Sequence, residues 1–575
     1  CHLPIQANWK TERQHFEGGE TRNFATYNPQ VVRDQMFQLG IHSTSKGNTI
    51  APIRSTSALV LSSTNINREK IYIQQPPIAA SGYSSQAFAP HFPHTVRKTE
   101  TKTCSDCHLS EANDNNARMA QLLLHGTNFV NFVGYNAWVG AEDGVEAVRV
   151  TEWDEPQAVI GSYLQKYAYP DWSADHRDND RELQESYVHS SPGVANCLQL
   201  RGEYLFVAEG KGGFQAYDVA SIANKGISQR IITAPFSPLG HGTRVKSENA
   251  TCMALPTGQP IAPGRNKGDL MRIDNQEQPF HPIYNYAFVT DAEEGLIVVD
   301  VNTLSDGEAR NNFFERALTW NEGGVLTGAR HITIAGDWFF ITTENSVVVL
   351  DMTNPLAPVL ARTIPMDDPR ATALQFRYLF VTDQHGVQIF DATNPAAPIK
   401  VEGAQIPLKD ARRIYLARTY AYVAAGSEGL AILNIKDPSK PKLHSIFNAD
   451  GKIVDARDVI LGSTNASLFA YIADGVGGLK VVQMTSPDSQ PRYYGYSPEP
   501  KPELIAWKQT NSPALALSKG IDRDRAVDET GGQIAVFGRL GSRPFTMAEQ
   551  RKLYLNAKGD PWMVSDKSRD GDFLA

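Results

Sequence analysis

The chain has 575 residues, 41% hydrophobic and 21% charged, with a formal net charge of -8 at pH 7. That length exceeds what one hydrophobic core supports and implies two to four domains. The charge is dispersed without a long basic run, which argues against nucleic acid or an anionic membrane surface as the main partner, and no stretch approaches the roughly 18 consecutive apolar residues of a membrane-spanning helix.

The chain opens on Cys1-His2 without an initiator Met and so reads as a processed or truncated start; the missing leader then says nothing about compartment. Residues 53–78, "IRSTSALVLSSTNINREKIYIQQPPI", predict two or three β-strands within an otherwise loop-rich region. Seven of the 14 histidines (His2, His15, His42, His91, His94, His108 and His125) fall in the first 125 residues.

Residues 104–108 read "CSDCH". The spacing C-x-x-C-H sets two thiols and an imidazole on one short turn, as covalent haem attachment requires: Cys104 and Cys107 would form the thioethers and His108 would be the proximal iron ligand. Composition alone gives about 0.001 expected occurrences, so chance is a poor explanation. Zinc is the rival, with an unligated dithiol behind it. A structural zinc site wants a second Cys/His pair at close spacing, and Cys197 and Cys252 are single and distant. For a sixth iron ligand the Pro-stiffened "PHFPHTVR" offers His94 first and His91 as the alternative, with Met119 and His125 on or after a short amphipathic segment downstream. Cys1-His2 reads as the tail of a second such motif, with Cys1 the attachment remnant and His2 a second proximal ligand. On these residues the part over 1–127 resembles multihaem c-type cytochromes. The resemblance implies haem c, more than one in a longer chain, neighbouring haems or a redox protein as partners, and a periplasmic or extracellular location.

Further along, one pattern repeats. "YAFVTDAEEGLIVVDVNTL" (from Tyr286), "YLFVTDQHGVQIFDATNPAAP" (from Tyr378) and "YAYVAAGSEGLAILNIKDPSKP" (from Tyr420) are each two apolar runs across a Gly-containing turn, which is a hairpin signature. Further units start near Asn136, Tyr204, Phe339 and Ala470. Aligned on the last apolar residue of the first run, they give Val139, Val207, Val289, Ile341, Val381, Val423 and Ile472, at steps of 68, 82, 52, 40, 42 and 49 residues. The shorter steps suit a four-stranded blade, and the two long ones predict insertions near 165–190 and 237–283. The units, "GLIVVDV" at 295–301 above all, resemble the LVIVD-repeat family. The resemblance implies a seven-bladed β-propeller over 128–485, of the kind found on secreted or surface-associated proteins, and says almost nothing about chemistry.

Outside the cytoplasm Cys197, heading a blade strand, and Cys252, inside the long insertion, would form a disulfide that ties the insertion down; two buried thiols are the alternative. Acidic residues after the first apolar run (Glu209, Asp291, Asp383 and Asp474) are expected to shape blade turns, and nothing brings His331 and His385 together. Residues 486–575 begin with the Pro-rich "SPEPKPELIAW", read as an extended linker, and include a short helix with Thr546 and Glu549 at capping-box spacing. "DKSRDGD" (566–572) matches half of a calcium loop and reads better as an acidic tail.

The fold expected is therefore mainly β: a seven-bladed propeller preceded by a loop-rich c-type cytochrome domain with some strands. The function expected is extracytoplasmic electron transfer, with the propeller a docking scaffold for a redox or cell-surface partner. The alternatives are a haem-dependent oxidoreductase with a substrate site at the haem–propeller interface, and a haem-free surface interaction protein.

Overall fold

The computed structural model describes residues 136–518, except 153–157, 202–203, 220–241, 257–281, 305–312, 376, 418, 464–466, 487 and 490–498; it also describes short strands at 30–31, 37–44, 47–55, 59–64, 70–74, 131–132, 539–540 and 543–544. Seven antiparallel sheets of four main strands follow one another along the chain. Blade four shows the pattern: His331–Ala335 is innermost, then Trp338–Thr342, Ser346–Asp351 and, outermost, Val359–Pro365. The two middle strands are buried along almost their whole length, because each blade packs between two others. They therefore read as unbroken apolar runs, whereas the outer strand is exposed at six of its seven residues. The seven residues aligned above all lie on second strands and are fully buried.

The ring closes by mixing the two ends of the described chain. Ala514–Leu517 is the innermost strand of blade one, against Asn136–Ala141, with Gly144–Arg149 and Ser186–Ser190 outside. Glu503–Lys508 is the outermost strand of blade seven, beside Leu479–Thr485. The propeller thus runs past the expected boundary at 485. The segment read as a Pro-rich linker supplies an edge strand, where preceding prolines are tolerated. Asn131–Phe132 adds in parallel to the innermost strand of blade seven, Asp458–Ser463.

Both expected insertions are redrawn. Between the third and fourth strands of blade one stand two short helices, α1 (Tyr163–Ala168) and α2 (Pro170–Asp178). Ser162 caps α1 by accepting the Gln165 N–H, and Pro170 starts α2. The expected 165–190 stretch ends in the blade's own outer strand, Ser186–Ser190. The second helix and the turn after it grip blade seven: the His176 ring meets the Ile505 carbonyl at 2.9 Å, Arg181 Nη1 donates to Leu504 O at 2.8 Å and Leu183 N–H to Trp507 O at 2.8 Å. The second stretch, 237–283, contains Ala250–Ala254, which is the innermost strand of blade three. In the N-terminal part, Leu59–Thr64 pairs with Lys70–Gln74, and Phe37–Thr44 pairs with Gly47–Ser55.

Candidate functional site

The residues assigned to haem from sequence (Cys1, His2, His91, His94, Cys104, Cys107 and His108) lie outside the described residues, as do the capping-box helix and the 566–572 loop. Among the described residues no three metal-ligating side chains converge, and no helix is long and apolar enough to cross a membrane. What the described part offers is the ring itself, at the mouth and in the bore of its central channel.

The register defines a layer with one position per blade. In each blade, one innermost-strand residue sits opposite the residue directly after the aligned apolar one. These seven are Ala516, Cys197, Cys252, His331, Ala371, Arg413 and Asp458 for blades one to seven. Cys197 and Cys252 form a disulfide with Cα atoms 4.8 Å apart. It joins the innermost strands of neighbouring blades, so the expectation that it pins an insertion is corrected: Cys252 is a strand residue. Arg413 Nη1 of blade six lies 3.8 Å from Cys252 Sγ of blade three. Blades that far apart meet only through the middle of the ring, so Arg413 reaches into the channel. Its guanidinium is enclosed by protein, which lowers its pKa by desolvation against the opposing pull of Asp458, yet it keeps part of its surface open. Asp458 accepts the N–H groups of Val459 and Leu517, both at 2.8 Å. His331 is buried, and its Nδ1 accepts the Thr372 N–H at 3.2 Å.

One residue earlier, strand alternation turns the side chain toward the rim. There Arg330, Arg370, Arg412 and Arg457 interleave with Asp368, Asp410 and Asp455. Arg370 Nε holds Asp368 at 2.9 Å and its Nη1 holds Asp410; Arg412 holds Asp410 at 2.8 Å and Asp455 at 2.7 Å; Arg457 holds Asp455 at 2.7 Å. Arg330 completes the arc by pairing with Asp368. Gly426 and Gly475 make room for it: both have positive φ, and a Cβ on either would collide with Asp410 or Asp455 Oδ2. All three carboxyls are held below the ordinary aspartate value; burial alone would raise them, and the hydrogen-bonded arginines outweigh it. Sequence reading missed this arc, although D-x-R stands at 368–370, 410–412 and 455–457.

The turn carboxylates behave as expected. Asp291 accepts the N–H groups of Glu293, Glu294 and Asn249, Asp383 that of His385, and Asp474 those of Val454 and Asp455. Glu209, as fully buried as the other three, differs in its partners: its carboxylate takes hydrogen bonds from the Tyr217 hydroxyl and from Arg244 at 3.5 Å. Burial, only partly offset by those two partners, pushes its pKa up to about 7. His385 is exposed beside Asp367, away from the buried His331.

The LVIVD repeat family matches residues 284–307, 328–364 and 409–449, which fall in blades three, four and six. No curated protein matches the chain. Similar solved structures include a protein from Lactobacillus plantarum (10% identity, 67% of this chain and 98% of that one, TM-score 0.42). Others are a functionally unknown protein from Desulfotomaculum acetoxidans DSM 771 (11%, 56% and 87%, 0.33) and apo AztD from Citrobacter koseri (14%, 67% and 98%, 0.33). These likenesses are too distant to carry an argument about chemistry.

Proposed function

We propose that this seven-bladed propeller, built with LVIVD repeats, is the scaffold of an extracytoplasmic c-type, multihaem cytochrome that transfers electrons. The observation behind this reading is the C-x-x-C-H spacing at Cys104, Cys107 and His108. The donor set fits the group: two thiols for covalent attachment and an imidazole for iron, with His94, or else His91, for the opposite face. Haem bound there would supply a one-electron couple. The chain's own contribution is to fix the group by two thioethers, to hold iron through His108, and to keep a rigid ring for a redox or surface partner to dock on. The Cys197–Cys252 disulfide supports an oxidising compartment.

The test is full-length protein matured by a cytochrome c assembly system. Haem-dependent peroxidase stain should survive a denaturing gel and should be lost in the Cys104→Ala/Cys107→Ala double variant. His94→Ala should turn a low-spin spectrum high-spin. Unstained, fully matured wild-type protein would end the redox reading.

A further inference from the structure

We infer that the channel layer is an anion site, in which the Arg413 guanidinium takes one small oxyanion, a carboxylate or a phosphate, from solvent. The reason is the contrast between neighbours on one strand. Arg412 divides its guanidinium between Asp410 and Asp455, and the other three arginines of the arc each hold at least one aspartate. Arg413 is enclosed by protein, where a charge is more costly; Asp458 attracts it from a distance, but no carboxylate is in contact with it among the described residues. Its one hydrogen-bond acceptor there is Cys252 Sγ at 3.8 Å, a disulfide sulfur and a weak acceptor.

A guanidinium carries five N–H donors in a planar fork that matches two oxygens of a carboxylate or phosphate. Most of that fork is unspent, and the residue as a whole keeps part of its surface exposed. Low-dielectric walls make such a charge more effective than the same charge at the surface. The other groups of the layer set limits on the ligand. Asp458 repels an anion from the blade-seven side, although two backbone N–H groups already share its charge. Ala371 and Ala516 are small and add no charge, and the disulfide is an apolar wall against Arg413 Nη1. His331 is committed at Nδ1 to a backbone donor. Because Nη1 already touches the sulfur at 3.8 Å, the anion would meet the edge of the fork turned away from the disulfide, and a single small one satisfies these limits better than a large or multiply charged one. The inference concerns the propeller alone and does not depend on the haem reading.

Calorimetric titration of the full, disulfide-intact chain at fixed ionic strength tests it, with inorganic phosphate in one arm and acetate in the other. The expected result is saturable one-site binding of at least one of them, the stronger arm identifying the anion class. Affinity should fall at least about tenfold in Arg413→Gln and stay unchanged in Arg457→Gln, a rim arginine outside the layer. Wild-type protein that saturates with neither anion, or Arg413→Gln that binds equally well, overturns the proposal. Should Arg413→Gln not fold, crystals of unaltered protein soaked in selenate give a second readout. An anomalous peak within hydrogen-bond reach of Arg413 supports the site, and its absence from the channel removes it.

Discussion

Glu209 shows how little a residue's name says about its role. Read along the chain it is one of four acidic residues at equivalent blade turns, and Asp291 and Asp383 do hold their own turns. In blade two the glutamate is one carbon longer and lies under Tyr217 and Arg244, out of water. Nothing local announces that, because Tyr217 lies on the next strand and Arg244 follows a long insertion. The consequence is a pH dependence with a definite sign. A carboxyl raised from 4.5 to about 7 is favoured in its protonated form by the fold. Its contribution is therefore complete below pH 4.5 and is lost as pH rises through 7. The loss is at most on the order of 3 kcal/mol. Urea unfolding at pH 5 and pH 8 should show a smaller difference in Glu209→Gln than in wild type; equal differences in the two proteins would remove Glu209 as the source. The channel layer was equally hidden at this scale. His331, Arg413 and Asp458 are unlike residues, and only the pairing register makes them equivalent.

Strands were legible where burial on both faces leaves an apolar run, which is why all seven hairpins were found from Val139 to Ile472. Strands with one exposed face, or with no room for more than four residues, were not. "ALAL" at 514–517 becomes an innermost strand through partners more than 370 residues earlier, and Ala250–Ala254 was absorbed into an expected insertion. What ties one blade to the next was present in the sequence as D-x-R but means nothing until Arg370 and Arg412 are each seen to hold their own blade's aspartate and the next one's. The exposed half of such pairs is worth little singly, about 0.2–1 kcal/mol. Arg370 holds two carboxylates, so Arg370→Gln should cost roughly 1–2 kcal/mol. Asp368, Asp410 and Asp455 titrate below their ordinary 3.8 in the fold. Their contribution is present above pH 3.8 and disappears as pH falls through the lower folded values. The gap in thermal midpoint between wild type and Arg370→Gln should therefore narrow as pH falls below 3.8. A gap that persists there would mean the arginine acts through packing rather than charge.

Around the ring, four devices tie particular pairs of blades together. The arc covers blades four to seven, the strand exchange at 503–517 and the helical grip of His176 and Arg181 join seven to one, and the disulfide joins two to three. Blades two and three present Asn196 and Thr251 where the arc has arginine, so the covalent bond stands where the ionic strap is missing. It closes a 55-residue separation that includes much of the chain between those two strands. By loop-closure entropy such a cross-link is worth about 4 kcal/mol, and typical measured values are about 2–4. Cys197→Ser/Cys252→Ser should accordingly unfold at lower denaturant by that free energy, while keeping a β-rich far-ultraviolet spectrum because the ring is still closed at blades seven and one. Treating wild type with a thiol reductant under partly denaturing conditions should reproduce the variant's midpoint. If instead the reduced protein and the double variant unfold at the oxidised protein's midpoint, the joint between blades two and three is held by its apolar packing alone, with Met253 and Phe288 among the residues bearing it.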